Sequence, residues 1–451
     1  MGDYDLVVIG GGAAGLGAAR AGVRAGARVL LISDGEPGGD CTFIGCVPSK
    51  TLIEAAARRL AFPVAAQRVR DAVTTIAATE NAAALRAEGI DVTLGRARFT
   101  GPGRIEVDGR PVRAARFVVA TGAAPLIPPI PGLDGLTYLT NETVFDLTEL
   151  PPSLAVLGGG AIGCELAQAF ARLGSHVTVV EGADRLLPGE EPETARVIAE
   201  VFAREGIDVR LGARVEEATA GDGVRLWLGD STAISAARLL VAVGRRPVTT
   251  DVDLAAAGIA ADDRGHIRTD DRLATTAPGV YAAGDVTGRM PFTHAAFEMG
   301  RIAAGNALSR RNRRYRPTAT PWVTFTDPEV ARVGLTETQA VEHHGRVAYL
   351  PMSEMDRAIA AGATDGFIKL LAGPRPLLGN IGGGRILGAT IVAARAGEMI
   401  HEPTLAMATG MLTGRLAATT HAYPTWSYAV QLTAAQFFMP TAGRRARPAA
   451  R

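Results

Sequence analysis

The chain has little of several residue types, and each shortage excludes a class of protein. Three cysteines in 451 residues are too few for a disulfide scaffold. Aromatic residues make up 5% and the net charge is +1, which disfavours nucleic acid and anionic membranes as partners. No apolar run reaches the ~18 residues of a membrane span, and no basic signal-like segment precedes the first strand. We therefore expect a cytoplasmic protein that binds neither nucleic acid nor membranes.

Lysine is scarcer still. Of the 47 basic residues, all but Lys50 and Lys369 are arginine. A compact ammonium and a planar guanidinium differ in geometry and in hydration. The two lysines therefore mark positions where arginine would not serve, unless composition alone explains them.

Two glycine-rich motifs each follow a short apolar strand and precede an alanine-rich helix. In such a G-x-G-x-x-G turn the backbone approaches a pyrophosphate, which lies at the helix N-terminus. Two of these units predict two doubly wound, nucleotide-binding domains. The motif residues are Gly10, Gly12 and Gly15 in the first unit, and Gly158, Gly160, Ile162 and Gly163 in the second.

The end of the strand after each helix predicts how the ribose is bound. Glu181 occupies this position in the second unit, and a carboxylate there favours NADH because it repels a 2′-phosphate. Arg185 lies close by, so NADPH stays an alternative. In the first unit the position is Ser33, with Asp34 next to it, and either side chain could bind the ribose.

Cys41 and Cys46 lie five residues apart, just after the first unit. As metal ligands they would need two more partners, and no other Cys or His is nearby, so we predict no metal site. As core thiols they would only be small hydrophobic groups. A redox dithiol at a helix N-terminus is the favoured interpretation, because that position stabilises a thiolate.

The stretch from residue 38 to residue 50, GGDCTFIGCVPSK, resembles the redox motif of the flavoprotein disulfide reductases. This family includes lipoamide dehydrogenase, glutathione reductase and mercuric reductase, and the form with Asp40 resembles the mercuric-reductase-like branch. Further segments match family patterns, so the resemblance covers almost the whole chain. These segments are residues 120–122, 244–247, 281–285, 356–358 and 366–369.

The resemblance implies an α/β fold with two Rossmann-type domains and a C-terminal α+β dimerisation domain. An FAD-binding domain would comprise residues 1–148 and 265–316, with an NAD(P)-binding domain at 149–264 between its two parts. The dimerisation domain would comprise residues 317–440, and we expect residues 441–451 to form a disordered tail.

The resemblance also implies roles for single residues. Cys46 would be the charge-transfer thiol against the flavin, and Cys41 the interchange thiol that meets the substrate. Lys50 would lie near the flavin N5, paired with Glu165. Further FAD contacts would come from Gly39, Thr121, Gly122, Asp285, Thr293, His294 and Ala295, and a further NAD contact from Gly244.

Two departures from the family pattern concern its C-terminal half. The motif His-x-His-Pro-Thr-x-x-Glu has become His421 to Tyr428, with Tyr423 in place of the catalytic His and Tyr428 in place of the Glu. The chain also lacks the C-terminal cysteine pair of mercuric reductase. The two tyrosines would either alter proton transfer at the site or only pack at the dimer interface, and we do not expect a true mercuric reductase.

The predicted function is electron transfer from NADH through FAD to the Cys41–Cys46 disulfide and on to a small acceptor. That acceptor would be a disulfide, a metal ion, a quinone or a pathway metabolite. The enzyme would be a homodimer whose active site is shared between subunits. Two alternatives are the oxidation of a dithiol or metabolite with O2 or NAD+ as electron acceptor, and a redox-sensing flavoprotein of low turnover.

Overall fold

The computed structural model describes residues 3–309 and 312–450. The chain forms two compact units. The first comprises the chain up to Pro129, Thr137–Leu150 and Leu240–Pro317, and the second comprises Ile130–Leu136, Pro151–Leu239 and the chain from Thr318 onward.

The first three quarters of the chain contain most of the helices and strands. Up to residue 125 they are β1 (Leu6–Ile9), α1 (Ala13–Arg24), β2 (Val29–Ser33), α2 (Gly39–Phe43), α3 (Cys46–Ala57), α4 (Phe62–Glu80), α5 (Ala82–Ala87), β3 (Asp91–Leu94), β4 (Ala97–Gly101), β5 (Arg104–Val107), β6 (Arg110–Arg113), β7 (Phe117–Val119) and β8 (Ala123–Pro125). From residue 153 they are β9 (Ser153–Leu157), α6 (Ala161–Leu173), β10 (His176–Val180), α7 (Pro192–Arg204), β11 (Asp208–Arg210), β12 (Val215–Gly221), β13 (Gly223–Leu228), β14 (Ala233–Ala236), β15 (Arg238–Val241), β16 (Arg245–Pro247), α8 (Leu254–Ala257), β17 (Val280–Ala282) and α9 (Thr293–Leu308).

The last quarter contains longer strands and short helices. They are β18 (Pro321–Thr324), β19 (Glu329–Gly334), α10 (Glu337–Ala340), β20 (Arg346–Pro351), α11 (Asp356–Ala361), β21 (Phe367–Gly373), β22 (Arg385–Ala393), α12 (Ala396–Met399), α13 (His401–Ala408), α14 (Thr413–Ala418), α15 (Tyr428–Ala435) and β23 (Arg447–Pro448).

A five-stranded parallel sheet, in the order β17-β7-β1-β2-β3, is the core of the first unit. Strands β1 and β2 are buried along their whole length, as expected for a parallel sheet covered on both faces. Helix α1 packs on α9, and small residues permit the close approach. A Cβ added at Gly300 would lie 1.9 Å from the carbonyl oxygen of Ala14. This packing holds the start of α9 next to the first glycine-rich loop.

The second unit contains a parallel sheet in the order β11-β10-β9-β15 and an antiparallel sheet of six strands. The order of the antiparallel sheet is β18-β19-β22-β21-β20-β23. The predicted fold class is confirmed: two doubly wound, nucleotide-binding folds and a C-terminal α+β domain. The segment boundaries at residues 148, 264, 316 and 440 stay predictions.

Lys369, one of the two lysines, lies in the middle of β21 with 1% of its surface exposed. Its Nζ contacts three carboxylates, at 3.2 Å from Glu191, 2.8 Å from Glu193 and 2.8 Å from Glu337. Burial alone would lower the pKa of Lys369, but hydrogen bonds to Glu193 and Glu337 outweigh it, so its pKa is raised. A compact ammonium with three donors suits three converging carboxylates, which explains why lysine is retained here.

The prediction of a disordered tail is corrected for residues 441–450. Strand β23 pairs antiparallel with β20, and Arg447 forms an ion pair with the largely buried Glu337. The tail sequence consists mostly of arginine and alanine and has no large apolar residue, so it gives no local signal for this pairing. Residue 451 lies outside the described residues. In the part of the chain that the structure describes, no helix has the length and apolarity that would cross a bilayer.

Candidate active site

The two cysteines of the redox segment lie at the start of consecutive helices. Cys41 is in α2 and Cys46 is the first residue of α3. Both are free thiols and half-buried, so the structure represents the dithiol form of the pair. A hydrogen bond to Cys46, and then burial, raise the pKa of the Cys41 thiol above its ordinary value.

Thr293, the first residue of α9, lies beside both thiols. Its Oγ1 is 3.3 Å from Sγ of Cys46, and it also hydrogen-bonds to Cys41. The ring of the next residue, His294, stacks on Phe292 with centroids 6.0 Å apart. Ala295 is buried. The structure thus brings Thr293 to the dithiol, while the predicted flavin contacts of the three residues stay predictions.

Lys50 follows Cys46 by one helical turn on α3, so both side chains project from the same face. Glu165 lies in α6 and is 5% exposed, and its Oε1 accepts a hydrogen bond from the backbone N–H of Phe325 at 2.8 Å. The pairing of Lys50 with Glu165 stays a prediction.

The first glycine-rich loop has the shape that a dinucleotide requires. A Cβ at Gly15 would lie 1.8 Å from the carbonyl oxygen of Gly10, so helix and strand are in close contact there. At Gly12, the residue before α1, the nearest atom to an added Cβ is 3.8 Å away, at Gly39. Gly12 has no side chain that could cap the helix. The N–H groups of the first turn of α1 thus face open space, where the FAD pyrophosphate would be held.

Two residues, Ser33 and Asp34, are the alternatives for binding the ribose in the first unit. Ser33 ends β2 with 5% exposure, and a Cβ at Gly11 would lie 2.4 Å from its Oγ. Asp34 is exposed. Of the two side chains left open by the sequence, Ser33 is therefore the one packed against the loop.

Thr121 and Gly122 are placed at the end of the first block by two hydrogen bonds to Val248. Thr121 Oγ1 donates to the carbonyl oxygen of Val248 at 2.6 Å, and the N–H of Val248 donates to Gly122 at 3.1 Å. Gly122 has a φ of 73° and open space beside its Cα. The Thr121 side chain thus ties this segment to Val248. Gly122 is the residue whose backbone a flavin could approach.

An ion cluster beside the redox segment was not predicted from the sequence. Arg245, at the start of β16, forms an ion pair with Asp40, and its Nε is 3.7 Å from Oδ2 of Asp285. Burial raises the pKa of Asp285, Arg245 opposes the shift, and the charge of Asp40 adds to it. The segment 244–247 matched a family pattern, but no local signal pairs Arg245 with a residue 205 positions away.

The second glycine-rich loop repeats the geometry of the first. A Cβ at Gly163 would lie 1.9 Å from the oxygen of Gly158, and nothing lies within 4 Å of one at Gly160. Glu181 accepts hydrogen bonds from the N–H groups of Gly159 at 2.6 Å and of Ala183 at 2.7 Å. The loop and its acidic residue thus fit the pyrophosphate and adenosine ribose of a nicotinamide dinucleotide.

Three other residues predicted at the nicotinamide site can be placed. Ile162 lies in the first turn of α6 and is half-buried. The Nη2 of Arg185 donates to the carbonyl oxygen of Pro188 at 2.9 Å, while its buried Nε has no hydrogen-bond partner among the described residues. Gly244 has a φ of 143° and accepts a hydrogen bond from Leu126 at 2.9 Å.

The two tyrosines of the altered C-terminal motif are in ring contact, with centroids 5.8 Å apart and planes at 90°. Tyr423 is 64% exposed, and its hydroxyl donates to Oδ2 of Asp356 at 2.6 Å. This hydrogen bond raises the pKa of Tyr423. His421, the first residue of the motif, has Glu402 as its partner, with Nε2 and Oε1 2.6 Å apart. Asp356, which the sequence named only within the matching segment 356–358, and Glu402, which it did not name, are thus the carboxylate partners of this motif.

No group of three or more His, Cys, Asp or Glu side chains that could hold a metal ion occurs among the described residues. The three carboxylates around Lys369 converge on its ammonium, and Glu337 is also paired with Arg447.

Comparison with protein families accounts for most of the chain. The model described as pyridine nucleotide-disulphide oxidoreductase matches residues 4–300, and the model for the dimerisation domain of the same proteins matches residues 320–434. A mercuric reductase of Streptomyces lividans is 37% identical, over 96% of each chain. A dihydrolipoyl dehydrogenase of Thermus scotoductus is 36% identical, over 95% of this chain and 96% of its own.

Solved structures give the same grouping. The Cu(II) complex of RclA, an HOCl-induced flavoprotein disulfide reductase from Escherichia coli, superposes with a TM-score of 0.89 at 32% identity, covering 96% of this chain and 99% of its own. LpdA from Mycobacterium tuberculosis superposes with a TM-score of 0.88 at 30% identity, covering 96% of this chain and 100% of its own.

Proposed function

Since the chain belongs to the pyridine nucleotide-disulphide oxidoreductase family, we propose that it is an NADH-dependent reductase whose Cys41–Cys46 pair passes electrons to a metal ion. Members of the family use FAD and NAD(P)H and a redox-active cysteine pair. When bound, FAD supplies the transfer of two electrons from the nicotinamide to the disulfide.

The electrons balance for this class of acceptor. NADH yields NAD+, a proton and two electrons, and with two protons these electrons convert the Cys41–Cys46 disulfide to the dithiol. The dithiol returns to the disulfide when it releases two protons and gives two electrons to one Hg(II) or to two Cu(II). Mercuric reductases and a Cu(II) complex among the relatives support a metal ion as the acceptor.

The contact of Tyr423 with Asp356 is the observation that carries the proposal. In the related enzymes that the sequence resembles, a histidine in this position exchanges a proton with a thiol. The Tyr423 hydroxyl instead donates to a carboxylate, which raises its pKa, so it is a poor proton acceptor at neutral pH. An acceptor that needs no base is consistent with this change, since a metal ion takes electrons without a proton.

A second candidate is the oxidation of a dithiol with NAD+ as electron acceptor. The similarity to a dihydrolipoyl dehydrogenase favours it. It requires a base, and the loss of both the histidine and the glutamate of the motif argues against it.

We also propose that the enzyme is a cytoplasmic homodimer. The match of residues 320–434 to a dimerisation domain supports the dimer. The exposed Tyr423 and its neighbour Tyr428 would then complete the active site of the partner subunit. The roles predicted for Lys50, Glu165 and the flavin-contacting residues belong to the same proposal.

The proposal is tested with the FAD-loaded enzyme and two assays under identical conditions. The first follows NADH oxidation with CuCl2 or HgCl2, and the second follows NAD+ reduction with dihydrolipoamide. We expect metal-dependent turnover that is lost in Cys41→Ser, and dihydrolipoamide activity lower by at least about a hundredfold, the smallest contribution usual for a general base. High dihydrolipoamide activity with no metal-dependent turnover would contradict the proposal.

Variants at the tyrosine pair test the reason for this preference. Tyr423→His combined with Tyr428→Glu should raise dihydrolipoamide oxidation by about tenfold or more, because it restores a base and a group to orient it. Tyr423→Phe, like the control Tyr138→Phe, should leave reduction of the metal ion nearly unchanged, because a metal ion takes electrons without a proton. High native dihydrolipoamide activity that Tyr423→Phe leaves unchanged would rule out this role for Tyr423.

A further inference from the structure

Arg245 joins three separate segments of the first unit beside the dithiol. It is held by β16, which pairs with β8, and its Nη2 donates to the carbonyl oxygen of Ala123 in β8. The same Nη2 contacts the carboxylate of Asp40, and Nε lies 3.7 Å from Oδ2 of Asp285. The guanidinium therefore lies between Asp40 of the redox segment and Asp285, a predicted FAD contact.

The redox segment is tightly fixed at the point of this contact. Asp40 precedes Cys41 directly, and its carbonyl oxygen accepts a hydrogen bond from Ile44 at 2.9 Å. A Cβ at Gly45 would lie 2.7 Å from the same oxygen, which shows how closely the turn between Cys41 and Cys46 is packed. The backbone of Asp40 is therefore fixed next to Cys41, and the ion pair with Arg245 holds its carboxylate.

We propose that Arg245 is a positioning residue that neutralises Asp40 and thereby sets the reduction potential of the Cys41–Cys46 pair. Asp40 without its partner would place a negative charge beside the thiols and disfavour the thiolate of the reduced form. Arg245 without Asp40 would add positive charge beside the thiols and favour that thiolate. With both present the pair is close to neutral, and the segment is tied to Asp285.

Arg245 and Asp285 are largely buried, which strengthens the electrostatic interaction between their charges. Side-chain exposure is 21% for Arg245 and 23% for Asp285, so solvent screens their interaction only partly. The Nε of Arg245 is buried without a hydrogen-bond partner among the described residues, so the guanidinium retains a donor on the side of Asp285. This inference rests on the redox role of the cysteine pair, and it is independent of the acceptor proposed above.

The test measures the disulfide–dithiol equilibrium of the FAD-loaded enzyme in a thiol buffer at fixed pH. One disulfide and two molecules of buffer thiol exchange with one dithiol and one buffer disulfide, and alkylation followed by mass measurement counts the reduced form. Asp40→Asn should shift the equilibrium toward the dithiol by about tenfold, or ~30 mV for two electrons. Arg245→Met should shift it by a similar factor toward the disulfide.

The double variant Asp40→Asn/Arg245→Met should return within about threefold of the parent, or ~14 mV for two electrons, because it restores the parent's net charge beside the dithiol. Arg246→Met is the matched control, since Arg246 is the next residue and is exposed. Shifts of both single variants in the same direction, or no larger than that of the control, would overturn the inference. If Arg245→Met does not fold, the sign of the shift in Asp40→Asn decides, because Asp40 is half-exposed and tolerates the change. No acceptor enters the assay, so its outcome is separate from that of the proposed function.

Discussion

The two glycine-rich loops have nearly the same backbone but different side chains at the end of the following strand. In each loop the third glycine packs so closely that an added Cβ would lie within 2 Å of a carbonyl oxygen, at 1.8 Å for Gly15 and 1.9 Å for Gly163. Glu181 in the second loop is charged and accepts two backbone hydrogen bonds. Ser33 in the first is neutral and buried.

The shared glycine packing and the different strand ends indicate that one motif has two tasks. The third glycine serves the fold, because it lets helix and strand meet. We propose that the second glycine and the residue at the strand end serve the ligand, since in this motif they would face the pyrophosphate and the ribose. Each task predicts a different response to substitution.

The largest effect is expected for the third glycine of the second loop. Gly163→Ala would force a methyl group against the oxygen of Gly158, and overpacking of this kind costs about 1–3 kcal/mol or more. The thermal unfolding midpoint should fall.

Gly160→Ala is the matched substitution, since its methyl group would meet nothing within 4 Å. It should leave the unfolding midpoint nearly unchanged and weaken NADH binding. Equal loss of stability in the two variants would contradict the separation of tasks.

Features encoded within short segments could be predicted from the sequence. The two loops, the cysteine pair and the tyrosines of the altered motif were all recognised, because each is defined by residues a few positions apart. The two nucleotide-binding domains followed from the same local patterns, since each is marked by a strand–loop–helix unit, and the third domain followed from the family resemblance.

Contacts between distant residues could not be predicted. Arg245 meets Asp40 across 205 positions, and Tyr423 meets Asp356 across 67. Lys369 was noticed for its rarity, but the glutamates around it come from two other segments. Nothing in the local pattern of a strand or turn specifies such partners, because tertiary packing decides which charged groups are buried together.

A smaller effect is expected for Glu181. A charge-assisted hydrogen bond contributes about 1.5–3 kcal/mol, so the enzyme should prefer NADH to NADPH by at least about tenfold in kcat/KM. Glu181→Gln should remove most of this preference, because a neutral amide neither repels a 2′-phosphate nor accepts as strongly. The measurement is the ratio of kcat/KM for the two nucleotides.

The neighbouring Asp184 provides the control, because it is exposed and carries the same charge. Asp184→Asn should leave the ratio unchanged. A parent enzyme that prefers NADPH would contradict the assignment and indicate that Arg185 binds the phosphate.

The smallest effect is expected at the strand end of the first loop, where the sequence left Ser33 and Asp34 as alternatives. The buried hydroxyl of Ser33 lies against the loop, and Asp34 is exposed. A neutral hydrogen bond contributes about 0.5–1.5 kcal/mol, so Ser33→Ala should weaken FAD binding by roughly two- to tenfold. Asp34→Asn should change it less, because the side chain is hydrated. The dissociation constant of FAD, measured by reconstitution of the apoprotein, distinguishes the two. A larger loss in Asp34→Asn would show that the first loop also relies on a carboxylate, and the contrast with Glu181 would disappear.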